Sequence, residues 1–367
     1  MKNISIRSTL VLSILGILAI IILATVENTK SLQKQKFYSE KIAASKLSSK
    51  MQKHVKNTFF ANEISIDNIN DPNDTGLVGP QFSPITSGRG DLPVKLSTMN
   101  PNFSAMIVHL ITKAGLKEGD AVGVCFTGSY PGLNIATCAA IETLGLKPIL
   151  IGSLASSSWG ANDPELTWIE IHKSLFDAQL VSSMPVAASL GGGQDIGRTL
   201  SREGREILEN KILSNNITYI NEGSLEGNIQ KRMEIFTKEN KLKLFINIGE
   251  GIASLGSDEN AMRLGSGLKT NLKIKKLPHA RGVVYEMVRK KIPYINLSKI
   301  SELMSKYGLP ADPVPLPEIG DGDLFMSQKY NLPITWLSTL VFIALIIAVM
   351  YYDKKQNALG TKIIKTK

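Results

Sequence analysis

Hydrophobic positions along this chain fall into three regimes. At each end they run without interruption: Thr9–Val26 (TLVLSILGILAIIILATV) and Ile334–Tyr352 (ITWLSTLVFIALIIAVMYY) hold no charged residue. As helices rising about 1.5 Å per residue, stretches of this length match a hydrocarbon core about 30 Å thick. A backbone in lipid must close its own hydrogen bonds, so two transmembrane helices are predicted. After the first of them, Tyr38, Ile42, Leu47, Met51 and Val55 recur at helical intervals with lysines between. That pattern predicts an amphipathic helix over Tyr38–Phe60, packed on a body, lying at a membrane surface or pairing with a neighbouring subunit.

In the third regime, short apolar runs alternate with helical patterns. Strands are predicted at Ala121–Phe126, Lys147–Ile151, Ile217–Ile220, Leu242–Ile248 and Tyr294–Leu297. Helices are predicted at 102–114, 133–144, 164–178, 201–214, 225–238, 282–291 and 299–307. Strands separated by helices of this length imply βαβ units. The fold class is therefore α/β, a mostly parallel Rossmann-like sheet flanked by helices and tethered by one transmembrane helix at each end. Residues 65–97, rich in Gly, Pro, Asn and Asp, read as loop, and Arg89-Gly90-Asp91 within them as a turn. Pro310–Pro317 reads as a stiff extended linker. The expected organisation is a tail at 1–8, a span at 9–26, a basic juxtamembrane helix at 27–60 and an α/β body at 61–309. A linker at 310–333, a span at 334–352 and a basic tail at 353–367 complete it.

Charge sharpens this division. The net charge is +10, yet residues 57–333 hold 27 basic against 29 acidic residues. The basicity is therefore juxtamembrane, which fits anionic lipid or a polyanion and excludes a nucleic-acid-binding body. The C-terminal tail carries five lysines and one aspartate, the N-terminus Lys2 and Arg7. The positive-inside rule then places both termini in the cytoplasm and the body outside, although the lysines of 30–56 weigh against it. The first apolar stretch exceeds a signal-peptide core and no A-x-A site follows it, so a retained anchor is expected. Cys125 and Cys138 lie in apolar surroundings and read as buried thiols rather than a disulfide framework. His54, His109, His172 and His279 lack ligand spacing, so neither a metal site nor a cofactor is predicted.

Ligands of open parallel sheets sit beyond the carboxyl ends of the strands. Four loops there are rich in Gly and Ser: 127–134, 153–162, 189–198 and 249–256. Backbone N–H groups at helix N-termini hold carboxylates and phosphates, and an arginine adds a bidentate clamp. The candidate ligand-binding residues are Gly128, Ser129, Asn134, Ser158, Asn162, Gly192, Gly193 and Arg198. The candidate catalytic residues are Ser129 as nucleophile, with Asp195 or Glu250 as acid or base. Neither the dinucleotide nor the P-loop fingerprint is present. Ser129 lacks the flanking glycines of a nucleophile elbow and has no histidine in these loops, which argues against a Ser–His hydrolase.

These same segments carry a resemblance. The run GPQFSPITSGRGDLPVKLSTMNPNFSAMIVHLITKAGLKEGDAVGVCFTGSYPGLNIA, with SLASSSWGANDPELTWIEI and ASLGGGQDIGRTLSREGRE, resembles the poly-gamma-glutamate system protein family over roughly residues 75–300. The resemblance implies an accessory membrane protein of poly-γ-glutamate synthesis or export in a bacterial inner membrane. The implied partners are the polymer ligase, its small membrane subunit, the polymer itself and membrane lipids. It assigns no catalytic residue. A body that binds the polymer, an enzyme that cleaves or transfers γ-glutamyl bonds, and a scaffold for the synthase all remain open.

Overall fold

The structure is a computed structural model describing residues 8–61, 66–238, 241–270 and 281–364. It divides into two units, one formed by the two ends of the chain (1–34 and 326–367) and a body formed by 35–325.

In the terminal unit, helices Thr9–Asn28 and Leu332–Ile364 contact one another. Strands Ser31–Lys34 and Met326–Lys329 pair antiparallel beside them, Ser31 opposite Lys329 and Lys34 opposite Met326. Both helices are long and apolar enough to cross a membrane by length and composition. Most of their leucines and isoleucines are exposed, as in Ile20 and Leu340, which sets them apart from core helices. The second helix runs on past Tyr352 into the basic tail. Residues 1–7 and 365–367 of the expected tails lie outside the described residues.

The body is built on seven strands: β1 (Ala121–Thr127), β2 (Lys147–Ser153), β3 (Ala187–Ser189), β4 (Thr218–Tyr219), β5 (Leu242–Ile248), β6 (Gly267–Lys269) and β7 (Tyr294–Leu297). Their order is β6-β7-β5-β1-β2-β3-β4, and every adjacent pair is parallel except β6 with β7. Val124 of β1 pairs with Leu150 of β2 and with Ile246 of β5. The central strands are apolar on both faces, as a sheet covered by helices on both sides requires.

The helices are α1 (Tyr38–Ala61), α2 (Leu92–Ser97), α3 (Phe103–Lys113), α4 (Pro131–Thr143), α5 (Trp168–Asp177), α6 (Arg202–Ser214) and α7 (Leu225–Thr237), followed by α8 (Ile252–Leu255), α9 (Asp258–Leu264), α10 (Val283–Arg289) and α11 (Ile300–Tyr307). Their starts follow from capping side chains. Ser201 and Ser224 accept from the N–H of Gly204 and Gly227 at 3.0 and 3.1 Å. Asp91 accepts from Val94 N–H at 3.3 Å. Alternation along β1 sorts the two faces. Cys125 belongs to a core with Ile229 and Phe236 of α7, Leu255 of α8 and Met287 of α10. On the opposite face Phe126 meets Trp168 and His172 of α5, with ring centroids 5.1 and 5.8 Å away.

Four features depart from the pattern reading. Strand β3 and the antiparallel edge β6 are too short to show periodicity. The helix expected from residue 164 begins at Trp168, because Asn162–Asp163 and Leu166–Thr167 pair as a small hairpin. Helix α1 packs on the body, as one of its three readings had it, with Met51 and Val55 fully buried, so the body begins at Gln35 rather than at residue 61. Finally, 310–325 is no free linker. Pro313 O accepts from Asn73 Nδ2 at 2.8 Å, Glu318 O accepts from Asn102 Nδ2 at 2.8 Å, and the N–H of Asp312 donates to Ser97 Oγ at 2.8 Å. Buried amides such as that of Asn102 need partners, and the carbonyls of this segment supply them.

Candidate functional site

Strands β1 to β4 step outward in one direction, and β5 returns to the other side of β1. The loops that leave the carboxyl ends of β1 and β5 therefore lead to opposite faces and open a crevice between them. A cleft of about 880 Å³ occupies this position. Its walls are the loops after β1, β2, β3 and β5, together with the segment 87–91.

Of the residues singled out from sequence, Ser129, Gly192, Gly193, Asp195 and Glu250 line the cleft together. Glu250 is exposed at its rim. Arg198 is exposed and lies outside the lining, so the expected carboxylate clamp is not assembled there. The others stand behind the walls and shape them. Asn134 Nδ2 donates to Thr127 O at 2.7 Å, and Gly128 N–H donates to Ser153 O at 2.9 Å. Ser158 N–H donates to Gly88 O at 3.0 Å. Asn162 Nδ2 donates to Pro80 O and to Thr86 Oγ1, both at 2.8 Å.

The geometry redefines two of the candidates. Asp195 forms an ion pair with Arg232 at 2.7 Å, the two side chains only 3% and 1% exposed. Its carboxylate also accepts from Ser189 Oγ at 2.8 Å and Asn228 Nδ2 at 3.0 Å. A carboxylate bonded on both oxygens and paired with a buried guanidinium ties the loop to the sheet and to α7. Ser129 Oγ accepts from the N–H of Ser157 at 3.0 Å, which fixes the loop after β2 against the loop after β1.

The residue that sequence reading passed over is Lys95. It lies on the short helix α2 and is fully buried. Its Nζ donates to Ser157 Oγ at 2.7 Å and, at close range, to Ser129 O. The ammonium also sits 4.4 Å from the centre of the Tyr130 ring. Among the described residues no carboxylate stands within ion-pair distance of it, and Asp91 acts on it only through its field. Desolvation therefore dominates and brings Lys95 from 10.5 down to about 7. The same burial pushes the Tyr130 hydroxyl up to about 12. Ser157, by contrast, is half-buried and lines the cleft.

Two sequence signals pointed this way. Asp91-Leu92-Pro93 is a helix-start signature, a cap followed by proline in the first turn. Gly90 is the second signal, because a side chain there would meet Ser158 O at 2.2 Å and Lys95 Cε at 3.2 Å. The Arg-Gly-Asp triplet is thus explained by close passage of 86–91 over 156–158, where Thr86 and Gly88 pair with Ser156 and Ser157.

Among the described residues no group of three His, Cys, Asp or Glu side chains gathers to hold a metal ion. No family profile, curated protein or solved structure matches this chain.

Proposed function

We propose that this chain is a membrane-anchored accessory protein of poly-γ-glutamate synthesis or export, and that its body binds the polymer in the cleft beside β1 and β5. The observation that carries the reading is the cleft itself, an open crevice at the point where the strand order reverses. Ligands of parallel α/β sheets are held at such a point. Arg89 and the N-terminal end of α4 border it, offering positive charge and helix-dipole field to a carboxylate chain. Lys46, Lys50 and Lys53 form an exposed stripe on α1, opposite the buried Met51 and Val55. Such a stripe attracts a polyanion or anionic lipid. In this reading the two apolar helices span the membrane, both tails face the cytoplasm and the body lies outside.

Fluorescent γ-linked glutamate oligomers titrated onto the detergent-solubilised full chain test the proposal. Binding should weaken as salt is raised and should fall several-fold in Arg89→Ala; no binding at low salt would refute it. A compartment-sensitive reporter placed after Lys367 and within 65–80 tests the orientation separately.

A further inference from the structure

The cleft also carries chemistry that polymer binding does not use. Lys95 is buried with no carboxylate within ion-pair distance among the described residues, and its amine reaches the one hydroxyl in contact with it that faces the cleft. We propose that Ser157 and Lys95 form a Ser–Lys dyad for acyl transfer, with Ser157 as the nucleophile, Lys95 as its general base, and a carboxylic ester or amide as the substrate class.

The parts are arranged for that role. Ser157 Oγ lies on the cleft wall, 2.7 Å from the base that would take its proton. Ser129 fixes the nucleophile's backbone through its hydrogen bond to Ser157 N–H, and Ser129 O holds the lysine amine in place. Gly90 leaves room for Lys95 Cε and Ser158 O, which a Cβ there would meet at 3.2 and 2.2 Å. Burial supplies the neutral amine that a base requires near neutral pH. The titratable groups facing Lys95 are Asp91 at the start of its own helix and Tyr130 from the loop before α4, and Arg89 and Glu250 line the same cleft.

In the forward step the Lys95 amine takes the Ser157 proton as Oγ bonds to the acyl carbon. The bond from that carbon to the leaving nitrogen or oxygen then breaks, and the Lys95 ammonium returns the proton to the departing amine or alcohol. In the second step water, or an acceptor amine, gives its proton to Lys95 and attacks the ester. The Ser157 oxygen departs and recovers its proton. Arg89 is the positive group on the same wall available to the oxyanion formed at each stage. Naming the γ-glutamyl amide as the acyl donor rests on the polymer reading above; the dyad itself does not.

A fluorophosphonate probe applied to the full chain in detergent tests the dyad, because it bonds to an activated serine with loss of fluoride. The expected result is one adduct, located on Ser157 by peptide mass spectrometry and absent in Ser157→Ala. Labelling should rise with pH through about 7 and level off above it. Lys95→Met should slow it by at least about 100-fold, the usual contribution of a general base. If Lys95→Met fails to give a cooperative unfolding transition, the wild-type pH profile and Ser157→Ala decide the matter alone. No adduct, an adduct elsewhere, or a rate flat between pH 6 and 9 would overturn the dyad. Parallel incubation with γ-linked oligomers separates the two readings. Oligomer binding without an adduct retains the polymer reading and removes the dyad, whereas an adduct without oligomer binding does the reverse.

Discussion

Replacing Lys95 by methionine should change how stability depends on pH, whatever the cleft does. Below pH 7 the lysine is protonated in both the folded and the unfolded chain, and the folded state bears the full cost of an ammonium cut off from water. Between about 7 and 10.5 the unfolded chain keeps the proton and the folded chain does not, so wild-type stability rises with pH across that window. Methionine has a similar length and no titration. At about 1.4 kcal/mol for each tenfold in proton affinity, the complete effect is on the order of 5 kcal/mol, and about 4 kcal/mol of it falls between pH 6 and 10. The measurement is urea unfolding of both full-length proteins in detergent at several pH values. Buried Trp168 provides the fluorescence signal. Subtracting the variant's unfolding free energy from that of the wild type removes titrations common to both. Lost hydrogen bonds to Ser129 O and Ser157 Oγ shift the difference by a constant and leave its slope intact. A difference that stays level from pH 6 to 10 would refute the argument that Lys95 is held neutral by burial.

Asp195→Asn should destabilise the body by about 3–5 kcal/mol in the same denaturation assay, since it leaves Arg232 buried without its counter-charge; Asp195→Leu combined with Arg232→Met should recover much of the loss. Gly204→Ala reverses the usual sign for a helix glycine. Alanine normally gains about 1 kcal/mol there, but its Cβ would fall 1.9 Å from Pro84 O, so the melting temperature should drop. Cys125, pushed up to about 11 by burial, and Cys138, raised further by burial and Glu142, should resist maleimide in the folded chain and react together only once it unfolds. Intact mass spectrometry reads that directly, and rapid labelling of the native chain would count against the buried environment.

Sequence pattern read the framework well and the site only in outline. Leu242–Ile248 and Tyr294–Leu297 are strands with the bounds their apolar runs indicated, because strands buried on both faces advertise themselves by composition. Ala187–Ser189 did not, being three small residues whose strand state comes from pairing with Ile151–Ser153. Three of the loops that meet at the cleft were identifiable from their place after predicted strands, and 189–198 from its glycines before a helix. What individual side chains do there depends on burial, which composition does not report. Asp195 stood out as a candidate acid or base, but nothing in the pattern showed that Arg232, 37 positions later, faces it. Lys95 is one of 42 basic residues; Asp91-Leu92-Pro93 marks a helix start before it, but its burial is set by the fold.

The way the chain enters and leaves the body has a mechanical side. Gln35 N–H donates to Phe325 O at 2.8 Å, so the two points of attachment are hydrogen-bonded neighbours. A pull that separated the two ends of the body would load this junction first and part it one bond at a time. While that junction holds, it closes the load path between the two attachments and shields strands β1 and β5, with the cleft at their ends, from the pull.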